Sequence, residues 1–150
     1  MVQISESLTW ELVKNNNSFM KKLNGSTKRG GTIRFSVEQG NLMSLSTFKY
    51  SGIANNKAVD VVVADNNTAK LVKKTATKAH SHPKKSFSKT SINKHFRRVE
   101  KTILSQTVDN YYRADLKSET LAKFSAVYSA NRKAKGVKKV VTMKKGRASS

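Results

Sequence analysis

The stretch Thr90–Arg132, TSINKHFRRVEKTILSQTVDNYYRADLKSETLAKFSAVYSANR, carries two apolar stripes at helical spacing, each backed by cations. In its first half Ile92, Phe96, Val99 and Ile103 recur at steps of four, three and four, which gathers their side chains on one side of a helix. Lys94, Arg97, Arg98 and Lys101 fall largely on the rest of that cylinder, and Thr90 or Ser91 is placed to cap its start. In the second half Leu121, Phe124 and Val127 or Tyr128 repeat the pattern, with Asp115 as the expected N-cap and Gly136 as the expected stop. The link Asn110–Ala114 is short, so the two helices are expected to pack on each other or on one shared surface.

Toward the amino terminus, Ile4–Lys14 reads as a short helix capped by Ser5 or Ser7, with Ile4, Leu8 and Leu12 on a face widened by Trp10 and Val13. Asn15, Asn16 and Asn17 end it, because Asn competes for backbone hydrogen bonds. Ser18–Leu23 is a strand candidate with Phe19 inward, followed by a loop marked by Gly25, Gly30 and Gly31. Thr32–Val37 and Ser46–Tyr50 are further strand candidates. The clearest pair is Ala58–Ala64 and Thr68–Lys74, joined by the turn formers Asp65, Asn66 and Asn67, with Val59, Val61 and Val63 on an apolar face. The expected fold class is α+β: a small antiparallel sheet with an N-terminal helix covering one side, then two basic amphipathic helices and an extended basic tail.

Four segments follow from this reading: an α+β domain over residues 1–74, a basic connector over 75–89, the helical pair over 90–135 and a basic tail over 136–150. The connector holds Lys, Ser, Thr, His and the chain's one proline with no apolar period, as expected of a surface-tracking arm. In the tail a small apolar patch, Val137–Met143, lies between lysine clusters.

The charge is extreme and unevenly placed. Thirty Lys and Arg against nine Asp and Glu give a formal charge of +21 over 150 residues. No acid occurs between Asn66 and Val99, and none after Glu119. A chain so charged repels itself in isolation, and a polyanionic partner is its natural complement. No apolar run of eighteen residues and no signal-peptide core is present, so a soluble, non-secreted protein without a membrane partner is expected. Zero cysteines exclude disulfides and thiolate chemistry.

Catalytic chemistry finds no purchase. His80, His82 and His95 have neither Cys nor nearby carboxylates to complete a metal site, and the surrounding lysines repel cations. No phosphate-cradling glycine motif is present, and no carboxylate pair sits in an apolar setting. The expectation is a non-enzyme with no cofactor, no metal and no small-molecule substrate. Trp10, Phe48, Tyr50, Phe96 and Phe124 sit on apolar faces and read as core, whereas Tyr111 and Tyr112, adjacent in the inter-helix link, are candidates for packing on sugar or base.

Four segments in series carry a resemblance: Trp10–Phe19 (WELVKNNNSF), Phe48–Asn55 (FKYSGIAN), Ser91–Lys94 (SINK) and Tyr112–Leu116 (YRADL). Their order and spacing, from about Leu8 to Arg132, resemble the eukaryote-type family of large-subunit ribosomal protein twenty-eight. The sequence departs from that family in a longer, glycine-richer Asn24–Thr32 loop and in Ala114, where proline is familiar. The resemblance implies a structural constituent of the cytosolic large (60S) ribosomal subunit that supports translation. Its implied partners are ribosomal RNA and neighbouring large-subunit proteins, and its implied location is the cytoplasmic ribosome after assembly in the nucleolus.

Ribosomal RNA presents a dense field of phosphates, and each cation that neutralises one releases counterions. Lys84, Lys85, Lys89, Lys94, Arg97, Arg98 and Lys101 are the expected main phosphate surface, with Arg132, Lys133, Lys135, Lys138 and Lys139 a second and Tyr111, Tyr112 and Arg113 between them. Two alternatives make different predictions. A nucleolar ribosome-assembly factor with a related N-terminal domain continues into an acidic region, which this sequence, ending at Ser150, does not show. A general cationic nucleic-acid binder holds unrelated duplex DNA as well as it holds ribosomal RNA.

Overall fold

A computed structural model describes residues 4–23, 33–79, 81–92 and 94–137. Its elements in chain order are α1 (Glu6–Val13), β1 (Met20–Leu23), β2 (Ile33–Ser36), β3 (Val59–Ala64), β4 (Thr68–Lys74), β5 (Phe87–Ile92), α2 (Phe96–Gln106) and α3 (Lys117–Ala134). The arrangement is α+β, as expected from the sequence.

Helix α1 starts where Ser5 Oγ accepts the Leu8 N–H at 3.3 Å. Beyond its end, the Asn17 amide donates to the Val13 carbonyl at 3.1 Å and accepts the Phe19 N–H at 3.0 Å, so one side chain closes the helix and opens the next segment. The helix does not cover the sheet, contrary to the sequence expectation, and its apolar residues Ile4, Leu8 and Leu12 are exposed. It is tied down instead by Trp10 against Phe48 at 6.1 Å and by Glu6, which accepts the Asn56 N–H at 2.8 Å.

Strands β1 and β2 form a two-stranded antiparallel ribbon, with Met20 opposite Ser36 and Leu23 opposite Ile33. Phe19, expected inward, is exposed. The glycine-rich loop beyond β1 lies outside the described residues. The strand expected over Ser46–Tyr50 is instead a single 3₁₀ turn at Phe48–Tyr50, and only Leu45 bridges to Phe35. The turn wins because its polar groups are satisfied locally: the Asn55 amide donates to the carbonyls of Phe48 and Ser51, at 2.6 and 2.8 Å.

The main sheet has the order β3-β4-β5, all antiparallel. Asn67, in the left-handed region at φ 49°, turns β3 into β4, and Val61 faces Leu71 across the pair. Strand β5 is a second departure. Residues assigned to the connector, and Ile92, assigned to the helical stripe, pair along β4 from Lys74 opposite Phe87 to Ala69 opposite Ile92. Ser88–Ser91 are all exposed, so this edge strand is held by its backbone ladder and offers no apolar alternation to read.

Neither Thr90 nor Ser91 caps α2, which begins at Phe96 after His95. Asp115 likewise does not cap α3 but lies in a 3₁₀ turn, Ala114–Leu116, that leads into it. The end of α3 is as expected: Gly136 at φ 76° sends its N–H to the Lys133 carbonyl at 2.9 Å while the Val137 N–H reaches Arg132 at 3.0 Å, a Schellman closure.

One hydrophobic core joins the sheet to the helices. Val59, Val61, Ala69, Leu71 and Ile92 from one sheet face meet Val99 and Ile103 of α2, and Leu116, Phe124 and Val127 at and within α3. Val99 and Ile103 are fully buried, each contributing about 1.5–3 kcal/mol of burial free energy. Val63, on the same strand face, is exposed. On the opposite face the Lys74 ammonium donates to the carbonyls of Gly52 and Asn55, both at 2.8 Å, which fixes the 52–55 segment over the strand.

Candidate nucleic-acid interface

With Val99 and Ile103 inward, positions 97, 98 and 101 of α2 have nowhere to point but out. Arg97, Arg98 and Lys101 are exposed, and with Lys94 they line a shallow open groove of about 650 Å³. The groove includes the start of α2, where no acidic side chain neutralises the positive end of the helix dipole. Lys89 is exposed on β5, and Lys85 is exposed at the end of the Pro83–Lys85 turn. The side chain of Lys84 lies outside the described residues, as do Lys138 and Lys139. Arg132, Lys133 and Lys135 are exposed around the closing turn of α3, where Arg132 and Lys133 complement the negative end of its dipole.

Few of the protein's described cations are neutralised by a carboxylate. Among the described residues, ion pairs join Lys14 to Glu11, Lys49 to Glu119, Arg113 to Asp115 and Lys123 to Asp60. None of Lys85, Lys89, Lys94, Arg97, Arg98, Lys101, Arg132, Lys133 or Lys135 is in such a pair, so their charges are free to meet an external anion.

The inter-helix link splits its two tyrosines. Tyr111, left-handed at φ 51°, is 88% exposed. Tyr112 turns the other way. Its hydroxyl donates to the Lys74 carbonyl and accepts the Ala58 N–H at 3.2 Å, and the ammonium groups of Lys57 and Lys73 lie over its ring at 5.7 and 5.9 Å. Burial pushes the Tyr112 phenol above its ordinary value. Tyr112 is therefore a structural clamp and not the free stacking platform expected from the sequence. Arg113, at φ 50°, is also spent internally: its guanidinium donates to the carbonyls of Lys57 at 2.9 Å and Lys49 at 2.7 Å and twice to Asp115, both at 2.9 Å. Hydrogen bonding from Arg113 holds the Asp115 carboxyl below its ordinary value.

Other charges in the protein brace the fold. Hydrogen bonds from Lys49 and Ser118 lower Glu119 to about 2, and the Lys49 amine is raised in turn. Burial raises the Asp60 carboxyl despite Lys123 at 3.9 Å, and burial lowers the Lys74 amine. No group of three or more His, Cys, Asp and Glu among the described residues is placed to hold a metal ion. No helix among them is long and apolar enough to cross a membrane.

One residue expected in the core is partly open, and one contributor escapes sequence reading. Phe96 is 41% exposed at the start of α2 while its ring packs on Phe124 at 5.9 Å and Tyr128 at 4.9 Å. Asn131, in the last full turn of α3, is 7% exposed and continues the buried row of Thr120, Phe124 and Val127. Its spacing from Val127 was the available signal, since an amide on an apolar stripe breaks the pattern.

The sequence matches the Ribosomal L28e protein family over residues 8–130. It is similar to the large ribosomal subunit protein eL28 of Dictyostelium discoideum, 34% identical over 135 residues that span 88% of this chain and 92% of that protein. The protein of the same name from Schizosaccharomyces pombe is 31% identical over 137 residues, 91% of this chain and 99% of its own. That of Caenorhabditis elegans is 34% identical over 91 residues, 61% of this chain and 65% of its own. A match across most of the chain, over the helices, sheet and link that build the interface, shows that the chain belongs to the Ribosomal L28e protein family.

Proposed function

We propose that this protein is a structural constituent of the cytosolic large ribosomal subunit, held there by ribosomal RNA through its basic helices and extensions. The observation that carries the reading is the outer face of α2, where Arg97, Arg98 and Lys101 stand exposed and free of carboxylate partners over a fully buried Val99 and Ile103. Relatives named as large ribosomal subunit proteins support it, as does a charge of +21. The role asks for no bond to be made or broken. Cations track phosphates, while an exposed ring such as Tyr111 packs on a sugar or unstacked base. Apolar surface left open on α1 and the β1–β2 ribbon is suited to neighbouring subunit proteins. Assembly would take place in the nucleolus and service in the cytoplasm.

The test is sucrose-gradient fractionation of lysate washed at high salt, comparing the wild-type protein with an Arg97→Glu/Arg98→Glu variant. The wild type is expected in large subunits and polysomes at one copy per subunit, and the variant is expected to be depleted from them. Loss of the wild type in the wash, or its confinement to nuclear precursors, overturns a permanent structural role. Undiminished incorporation of the variant overturns the part assigned to α2.

A further inference from the structure

Beside the α2 groove lies a smaller, half-open cavity of about 150 Å³, bordered by the β3–β4 turn, the end of β5 and the last two turns of α3. Its lining falls into three chemical zones. Ile92 and Phe124, both buried, and the Tyr128 ring make an apolar and aromatic floor. Lys94, Arg132 and Lys135 stand on the rim, all exposed and in no ion pair with a described carboxylate. Between floor and rim sits Asn131, 93% buried by its 7% exposure, whose side chain makes no hydrogen bond among the described residues.

That amide is the informative group. Position 131 continues a stripe whose other members are chosen for packing, and an aliphatic side chain there would fill the same space at no polar cost. The residue lines the cavity, so its amide is within reach of a molecule that enters there and can exchange water for that molecule's donors and acceptors. The required occupant has a flat ring to lie on the aromatic floor, donors and acceptors along its edge to meet an amide that offers both, and negative charge a few bonds away for three cations. An acidic peptide supplies the charge but not the ring.

We infer that this cavity holds a single unpaired RNA nucleotide, its base or sugar on Tyr128 and Asn131 and its flanking phosphates on Lys94, Arg132 and Lys135. The inference rests on the RNA-binding reading above and adds to it a preference for a nucleotide free of its helix. Asn131 is placed to meet a base edge, and the cavity's volume suits a single ring.

The test compares the full chain with Asn131→Leu and, separately, Arg97→Glu/Arg98→Glu. Binding is followed by fluorescence anisotropy to a short unstructured RNA and to a fully paired duplex RNA of equal length. Asn131→Leu is expected to weaken binding to the unpaired RNA about tenfold, the scale of a lost hydrogen-bonding partner, leave duplex binding unchanged and melt no lower than wild type. Arg97→Glu/Arg98→Glu is expected to weaken both. Unchanged binding of unpaired RNA by Asn131→Leu overturns the cavity assignment and leaves the α2 interface standing. Full binding of both RNAs by the charge-reversed variant overturns the interface itself. A lower melting temperature for Asn131→Leu means the amide is satisfied within the fold, which also overturns the assignment. Photo-crosslinking of the unaltered protein to thiouridine-bearing unpaired RNA gives a readout that needs no variant: adducts are expected within Tyr128–Lys135, and their absence there overturns the proposal.

Discussion

The Tyr112 hydroxyl donates to the carbonyl of Lys74, the last residue of β4, and so ties the link between α2 and α3 to the end of the sheet's central strand. The same oxygen accepts the Ala58 N–H at 3.2 Å. Tyr112→Phe keeps the ring but strands that N–H in a half-buried site, so a loss of about 1–3 kcal/mol in unfolding free energy is expected in urea titration. RNA affinity measured well below the melting temperature is expected to be unchanged. Tyr111→Ala should do the reverse, with lowered RNA affinity and unaltered stability, because that ring is 88% exposed. Equal behaviour of the two variants would contradict the division of labour.

Gly52 and Gly136 make opposite demands on their surroundings. A Cβ on Gly52 would lie 2.1 Å from the Gln39 carbonyl oxygen, a backbone atom that cannot swing aside. Gly52→Ala is expected to cost about 3 kcal/mol or more, at the upper end of overpacking effects. At Gly136 a Cβ meets nothing within 4 Å, and only the left-handed φ of 76° is at issue. Gly136→Ala should therefore cost about 1–2 kcal/mol, the strain of that conformation alone. Thermal melts of the two variants side by side check the ranking.

The salt dependence of RNA binding counts the phosphates met by α2. Each neutralised phosphate contributes about 0.7–0.9 to the slope of log affinity against log salt. If Arg97, Arg98 and Lys101 each meet one, converting all three to Gln should flatten that slope by about 2–3. A parallel line of lower affinity would show that they act through the fold and not by contact.

What could be read from the sequence was whatever announced itself by periodicity or by a local cap. Val99 and Ile103 at a step of four, the valines of β3 and the Gly136 stop were all legible because each obeys a rule confined to a few neighbouring residues. Strand β5 was not, since Ser88, Lys89, Thr90 and Ser91 have no apolar face and their pairing is decided by β4, many residues earlier. The covering of the sheet was misread for a related reason. Ile4, Leu8 and Leu12 satisfy a helical stripe, but α2 and α3 already bury the apolar sheet face on which such a stripe could rest. The exposed cations were legible by residue type, whereas the fate of Arg113 was not, because its partners Lys49 and Lys57 lie in a distant turn. Asn131 needed the third dimension, since its isolation comes from strands and turns far away in the chain.

The pH dependence of stability should separate two carboxylates of opposite sign. Glu119 Oε1 accepts from Lys49 Nζ at 2.5 Å and from the Tyr50 hydroxyl at 3.1 Å, and it titrates at about 2 in the folded protein against an ordinary 4.5. A folded value below the unfolded one means that the unfolded chain takes up the proton first as pH falls. The contribution of Glu119 is then complete above 4.5 and is lost progressively as pH falls from there toward 2. Asp60 runs the other way, because burial raises it above 3.8. The folded chain holds its proton more tightly, so Asp60 detracts from stability as pH rises through that window. In urea titrations over this range Glu119→Gln is expected to be less stable than wild type at neutral pH, with the difference shrinking to nothing near pH 2. With Asp115, lowered like Glu119, also converted to Asn, the remaining curve should show Asp60 as a gain in stability on acidification. A deficit for Glu119→Gln that is the same at neutral pH and at pH 2 would mean that its charge plays no part in joining the Phe48–Tyr50 turn to α3.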